Sequence, residues 1–312
     1  MKRGRVASSS RAEKLEIAGI TISHPAKELW PADNGYDAVT KADLAAYYEL
    51  VAPRLLPFVE GRPLSLVRAP DGIAGQRFFQ RHVMEGMQGV SSIRIGGEPK
   101  PYLMIEGLKG LIGLAQAGGV ELHPWGCRKG DPETPEILIF DLDPANGLSF
   151  NDVIDAAKDM RDRLSSCGLI PYVKTTGGKG LHVVTAIKGT PKNPLTWQDA
   201  KAFARGICVS LERDRRDRYT TNMAKANRNG KIFLDYLRND RSSTAVAPWS
   251  PRARPHATVA FPLSWAQVKY GLDPQNYTVA NARTLIKRAD PWKDFAKSAV
   301  SLESARKKLN LR

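Results

Sequence analysis

Cysteine is scarce in this chain. Of its 312 residues three are cysteine, Cys127, Cys167 and Cys208. They are odd in number, far apart and form no CxxC pair, which excludes a disulfide framework and a cysteine zinc half-site. Three buried, inert thiols are the expectation. Long apolar runs are missing as well. No stretch approaches the roughly 18–20 consecutive apolar residues of a membrane span. The basic opening MKRGRVASSS lacks the apolar core of a secretory signal. Internal repeats and long low-complexity segments are absent too. A soluble cytoplasmic protein is therefore expected. Acidic residues are outnumbered: 32 Asp and Glu stand against 47 Lys and Arg, for a formal net charge of +15. Such a field attracts polyanions, and nucleic acid is the commonest of these in a cytoplasm. What is present in ordinary amount is apolar residue, 42% of the chain. That is enough for a buried core in one large domain or two modest ones, and it excludes wholesale disorder.

Along the chain, residues 1–15 read as a flexible basic tail and 17–31 as a short strand and a loop ending in AKELWP. Thr40 and Asp43 form a capping-box pair. They open a helix carrying Leu44, Tyr47, Tyr48, Val51 and Leu55 at helical spacing, which Pro57 is expected to close. GRPLSLVRAP (61–70) and RFFQRHV (77–83) alternate basic and apolar residues as strands do. LKGLIGLAQAG (108–118) suits a helix and VELHPW (120–125) a short strand. EILIF (136–140) is the continuous apolar run of a buried strand. Ser149 can cap a helix bearing Val153, Ile154, Ala157, Met160 and Leu164, with Gly168 as its stop. Strands over 169–174 and 181–187 flank a glycine-rich segment. A further helix runs from Thr196 to about Arg213, and KIFLDYL (231–237) is a strand with Asp235 inside it. Residues 248–262 are irregular and rich in Pro and Arg, and the last 25 read as a basic amphipathic helix. The fold class is α/β or α+β, a mixed sheet with helices packed against it.

Two segments carry chemistry. The apolar strand ends in Asp141-Leu142-Asp143-Pro144. Period-two geometry puts both carboxylates on one face, where they repel unless a positive charge compensates them. A hard divalent cation is the usual compensation, and Asp235 on a neighbouring strand could complete a site for two ions about 3.5–4 Å apart. DxD also opens the aspartate-nucleophile phosphatases. Those usually carry Thr or Val two residues after the second Asp, and here that position is Ala145. A DxD with no chemical role is the other alternative. The second segment is TTGGKGLHV (175–183). Its glycines allow backbone amides to approach an anion, and Thr176, Lys179 and His182 add a hydroxyl, a point charge and a ring donor. It is not a Walker A loop. It reads as a triphosphate cradle beside the DxD strand, or taken alone as a simple turn.

The order FDLDP, TTGGKGLHV, IFLDYLRN, TAVAPWSPRARP resembles the polymerase domain of bacterial ligase D, in the archaeo-eukaryotic primase superfamily. The resemblance runs from about Ser23 to Leu263. It implies a primase-polymerase that adds nucleotides at DNA breaks in end joining. Asp141, Asp143 and Asp235 match the family's catalytic, metal-binding carboxylates. Thr176 stands where the family usually has Ser, and with Lys179 and His182 would hold the incoming nucleotide. His123 matches a histidine of the nucleotide pocket, and Arg238 and Arg252 match basic residues that contact triphosphate or primer. Lys27 and Lys41 match a pair that grips a downstream 5′-phosphate, with an interval a few residues longer than in some relatives. Phe78 and Phe79 fall where aromatics stack on template bases, and read on their own they suit a core pair equally well. His24, His82 and His256 match nothing and are expected to be structural.

By the same resemblance the cofactors are two divalent ions, Mn2+ or Mg2+, with NTP or dNTP as substrate and ribonucleotides favoured. The partners are DNA ends or a gapped duplex with a 5′-phosphate, together with Ku and a DNA ligase. The location is the bacterial cytoplasm, at the nucleoid. A single primase-polymerase domain is expected over 16–295. Its basic N-terminal lobe would cover about 16–118 and its catalytic core about 119–265, with a C-terminal helical segment over 266–312. No KxDG-type ligase motif and no phosphoesterase segment accompany it. The chain is therefore either a stand-alone polymerase, for which Met1 and the basic tail suit a natural start, or part of a larger protein. The rivals are a replicative-type primase and a non-catalytic DNA-end binding module.

Overall fold

The structure, a computed structural model, describes residues 14–224, 226 and 228–310. Most of the expected basic tail lies outside these residues, but 14 and 15 already belong to a strand. β1 (Lys14–Ile17) and β2 (Ile20–Ser23) form one antiparallel hairpin, and β3 (Glu28–Trp30) and β4 (Val39–Thr40) another. The capping box then starts α1 (Lys41–Val59). Thr40 Oγ1 accepts from the Asp43 N–H while the Asp43 carboxylate accepts from the Thr40 N–H. Pro57 does not close α1, which runs through Pro53 and Pro57 to Val59. The apolar face continues through buried Leu55 and Val59, and packing of that face outweighs two missing backbone donors.

β5 (Leu64–Arg68), β6 (Phe78–Gln80), β7 (Val90–Ile93), β8 (Tyr102–Ile105) and β9 (Gly119–Pro124) build a five-stranded antiparallel sheet, ordered β6-β5-β8-β7 with β9 also on β5. α2 (Gly107–Gln116) packs against α1 beside it. The strand carrying His123 therefore pairs into the N-terminal sheet, not the one that holds the DxD segment. It reaches the second half of the chain through the Ala247 N–H to Leu122 carbonyl bond and the Leu122 N–H to Ser250 Oγ bond.

The DxD sheet has seven strands: β10 (Ile137–Pro144), β11 (Pro171–Thr175), β12 (Leu181–Lys188), β13 (Tyr219–Thr220), β14 (Ile232–Asp235), β15 (Pro262–Leu263) and β16 (Val300–Ser301). Their order is β13-β14-β10-β12-β11-β15 with β16 beside β12. The β13–β14 and β12–β16 pairs are parallel and the rest antiparallel, so the sheet is mixed as expected. α3 (Phe150–Ser166), capped by Ser149, and α4 (Trp197–Asp214), capped by Thr196, pack on this sheet.

Alternation along β10 decides where the site lies. Leu138, Phe140 and Leu142 are fully buried in the main core with α3 and α4. Ile137, Ile139, Asp141 and Asp143 take the other face. Ile137 and Ile139 pack there against Trp292, Phe295 and Phe58, and the two aspartates stand beyond that apolar layer. The last 25 residues are accordingly not one helix. Trp292 and Phe295 stack at 5.2 Å in the layer, β16 joins the sheet, and among the described residues only α6 (Leu302–Asn310) is helical there besides short turns. One continuous helix could not leave Val300 and Ser301 extended to pair with Ile187 and Lys188 on β12, and Pro291 disfavours helix at the preceding residue. All three cysteines are buried. Among the described residues no helix is long and apolar enough to cross a membrane.

Candidate active site

Strand register assembles the site. Asp235 on β14 stands opposite Asp141 on β10, Asp141 opposite His182 on β12, and His182 opposite Lys174 on β11. Directly opposed residues project from the same face of a sheet. Four strands thus present one row: Asp235, Asp141, His182, Lys174. Asp143 lies two residues along β10 on the same face, opposite Phe233. The row opens into a cleft of ≈ 410 Å³ whose lining includes His123, Asp141, Asp143, Thr176, Lys179, His182, Arg238 and Arg252. Residues singled out across the sequence thus meet in one cavity, with Asp235 in the row beside them.

The carboxylates are held by cations. Arg238 spans two of them, with Nη2 3.5 Å from Asp141 and Nε 3.2 Å from Asp235. His182 Nε2 lies 3.3 Å from Asp141. Arg228 Nη1 donates to Asp143 at 3.0 Å while its guanidinium lies over the Phe233 ring. Burial works to raise the Asp141 pKa, but His182, Arg238 and Lys174 reverse it and leave the carboxyl at about 2. Burial, then the Asp141 charge, push Asp143 up, and burial pushes Asp235 up. Burial and then the Lys174 charge lower His182 to about 4, so its ring is neutral near pH 7.

The glycine-rich segment is closed on itself by Thr176. Its N–H and its Oγ1 each donate to the Gly180 carbonyl at 3.1 Å, and its Oγ1 accepts from the Gly178 and Gly180 N–H groups. The hydroxyl is thus used within the loop, and exposed Lys179 brings the loop's positive charge to the cleft. Two of the glycines are needed for close approach. At Gly177, with φ +68°, a Cβ would stand 2.6 Å from Arg252 Cγ, and at Gly178 it would meet the Arg254 guanidinium at 3.1 Å. They let two arginines lie against the loop.

Glu121 is a residue the sequence reading missed. It is buried on β9, two residues before His123 and so on the same face. It meets His123 Nε2 at 2.8 Å and Arg252 Nε at 3.1 Å, and accepts from the Ala253 N–H. The signal available was an acid in an otherwise apolar strand at same-face spacing from a candidate histidine. Burial works to raise its pKa, and the hydrogen bond from His123 and the charge of Arg252 bring it to about 2, below the ordinary 4.5. Because the folded pKa is depressed, the carboxylate stabilises the fold above about pH 4.5, and that contribution is lost as pH falls toward about 2. Glu121→Gln is therefore expected to melt lower than the parent at pH 7, with the gap shrinking as pH falls toward 2. A gap independent of pH would show that the charge is not what holds Arg252.

The expected DNA-contact residues lie on the N-terminal half. The Lys41 N–H donates to the Lys27 carbonyl at 2.8 Å, because Glu28 pairs with Thr40 across β3 and β4. The longer interval between the lysines is thus looped out and does not separate them. Lys27 Nζ pairs with Asp71 at 2.8 Å, and buried Lys41 Nζ donates to the Ser23 carbonyl at 3.0 Å. Phe78 and Phe79 are 41% and 55% exposed on edge strand β6, which rules out a core pair. Phe79 stands edge-on to His123 at 6.2 Å. Of the histidines expected to be structural, His82 Nδ1 lies 2.8 Å from the Pro101 carbonyl and His256 stacks on Tyr36.

Whether divalent ions suit this site can be tested on its donors. Three carboxylates on one face supply only oxygen, and Asp143 and Asp235 are raised by burial, so added positive charge is favoured there. The donor chemistry fits a hard divalent cation. Arg228 and Arg238 occupy the carboxylates, and among the described residues no three His, Cys, Asp or Glu groups are gathered as a metal cluster.

The LigD primase-polymerase domain family matches residues 40–292. The chain belongs to that family. It is 33% identical over 314 residues to the multifunctional non-homologous end joining protein LigD of Pseudomonas aeruginosa, covering 97% of this chain and 36% of that protein. It is 28% identical over 259 residues to the bifunctional non-homologous end joining protein LigD of Bacillus subtilis, covering 82% of this chain and 41% of that one. The chain thus spans well under half of these relatives' length. The polymerase domain from Mycobacterium tuberculosis ligase D, solved in complex with DNA, matches with a TM-score of 0.80 at 29% identity, over 90% of this chain and 99% of that one. The α/β fold is the LigD polymerase fold, as the motif order implied. Membership of the LigD primase-polymerase family makes the chain a nucleotidyltransferase by class.

Proposed function

We propose that this chain adds ribo- or deoxyribonucleotides, directed by a template, to primer 3′ ends at DNA breaks or gaps in non-homologous end joining. One observation carries the reading: strand register sets Asp235, Asp141 and the added Asp143 on one face beside His182 and Arg238, and the cleft over that face also receives Lys179 and Arg252. Carboxylates and basic groups gathered side by side suit a reaction in which a hydroxyl attacks a phosphate that carries a polyanionic leaving group. The primer 3′-oxygen attacks the α-phosphorus, the bond to the β-phosphate breaks, pyrophosphate leaves, and the hydroxyl proton passes to solvent.

Asp141, Asp143 and Asp235 would hold divalent ions, manganese or magnesium, which supply Lewis acidity to the attacking and leaving oxygens when bound. Lys179 and Arg252 neutralise the triphosphate, Arg252 held in position by Glu121. His182, neutral near pH 7, and His123 offer ring hydrogen bonds to the nucleotide. Arg238 shields the carboxylates from one another until a nucleotide competes for it. Phe78 and Phe79 stack on template bases, a contact tolerant of sequence. Lys27 and Lys41 receive the 5′-phosphate downstream, with Ku and a DNA ligase as the expected partners in the pathway.

The test is primer extension on a gapped duplex with Mn2+, with and without a 5′-phosphate in the gap, for the parent and Lys27→Ala. Extension that the phosphate improves several-fold, an advantage lost in Lys27→Ala, is expected. Extension indifferent to the phosphate would move the role toward priming. Tight DNA binding with no extension would leave a binding module.

A further inference from the structure

One member of the row has no part in the mechanism above. Lys174 is 1% exposed on β11, and among the described residues its Nζ has no hydrogen-bond partner. It stands directly across from His182, with Asp141 one strand further on. It does not line the cleft itself. Its charge nevertheless acts on Asp141, His182 and His123, three groups that line the cleft. Burying a cation without a partner is costly, and an apolar side chain of similar length would avoid that cost. A buried charge is also weakly screened, so it acts on an anion it does not touch.

We propose that Lys174 is a positioning residue for the nucleotide, its buried amine set behind His182 to favour the polyphosphate of a nucleoside triphosphate. The inference rests on the nucleotidyltransferase reading. The free protein bears the cost of the buried amine, and the negative charges of a bound triphosphate offset it. That holds whether the proton is already present or is taken up on binding. Burial and the Arg252 charge lower the lysine's pKa well below its usual value, with Asp141 opposing, which is the same cost seen as a titration. A lysine kept only for its aliphatic stem behaves differently: replacing it changes stability and leaves nucleotide charge irrelevant.

The experiment measures binding of a non-hydrolysable nucleoside triphosphate and of the matching monophosphate to the parent, Lys174→Met and Lys174→Leu, with thermal melting of each and KM and kcat for primer extension. Expected for Lys174→Met is a loss of about tenfold or more in triphosphate affinity, with the monophosphate changed by less than about threefold. KM for the triphosphate rises more than kcat falls, and the melting temperature is unchanged or higher. Equal loss for both nucleotides, no loss for either, or a lower melting temperature in both variants would overturn the assignment and leave a structural lysine. A parent protein that transfers no nucleotide would sink the nucleotidyltransferase reading itself, a distinguishable result.

Discussion

Asp141→Asn is expected to lower nucleotide addition by a factor on the order of a thousand while leaving the protein folded. Asp141 is the centre of the row, opposed to Asp235 on one side and His182 on the other. Arg238 also reaches it. Asparagine has nearly the same shape, so the β10 register and the core packing of Leu138, Phe140 and Leu142 on the opposite face stay as they are. What changes is charge. With Asp141 neutral, Asp143 loses the charge that helps to raise its pKa, and Arg238 keeps Asp235 as a partner at 3.2 Å. Fold stability at pH 7 should fall modestly, because a carboxylate whose pKa is held at about 2, against burial, by His182, Arg238 and Lys174 is lost, with relief of like-charge repulsion offsetting part of the cost. Primer extension and a melting curve on the same preparation check both halves. An active Asp141→Asn protein would remove this carboxylate from the chemistry.

Gly180→Ala should damage both stability and activity, for a steric reason. A Cβ at this position would stand 2.6 Å from the Leu142 carbonyl oxygen, which belongs to the backbone between Asp141 and Asp143. Neither partner is a flexible side-chain end, so β10 or the loop has to move. Overpacking of this kind costs about 1–3 kcal/mol. The move would also disturb the bonds that Gly180 makes with Thr176, and with them the placement of Lys179. Gly130→Ala is the control, since a Cβ there meets nothing within 4 Å. Melting temperature and primer extension should fall together in Gly180→Ala and stay near the parent in Gly130→Ala. Equal behaviour of the two variants would mean that the loop is not held against β10 as described.

The DxD strand and the glycine-rich loop were legible because their signals are local. An apolar run ending in two acids at period two, and a glycine-rich turn between two strands, need no distant partner to be read. The capping boxes at Thr40 and Ser149 were legible for the same reason. Pro57 and the C-terminal segment depart from expectation where tertiary structure overrides local preference, through buried Leu55 and Val59 in one case and the pairing of Val300 and Ser301 with β12 in the other. The site's arginines, Arg238 and Arg252, were legible only through the family resemblance, and the ion pair of Glu121 on β9 with Arg252 joins segments far apart in the chain and has no local signature. Lys174 looked like any strand lysine until register put it opposite His182.

The most direct measurement is single-nucleotide addition to a primer on a gapped duplex whose first template base is varied through all four identities. Each nucleoside triphosphate is offered separately with Mn2+. A template-directed nucleotidyltransferase adds the complementary nucleotide preferentially in all four cases. Addition of the same nucleotide whatever the template base, or no addition at all, would contradict it.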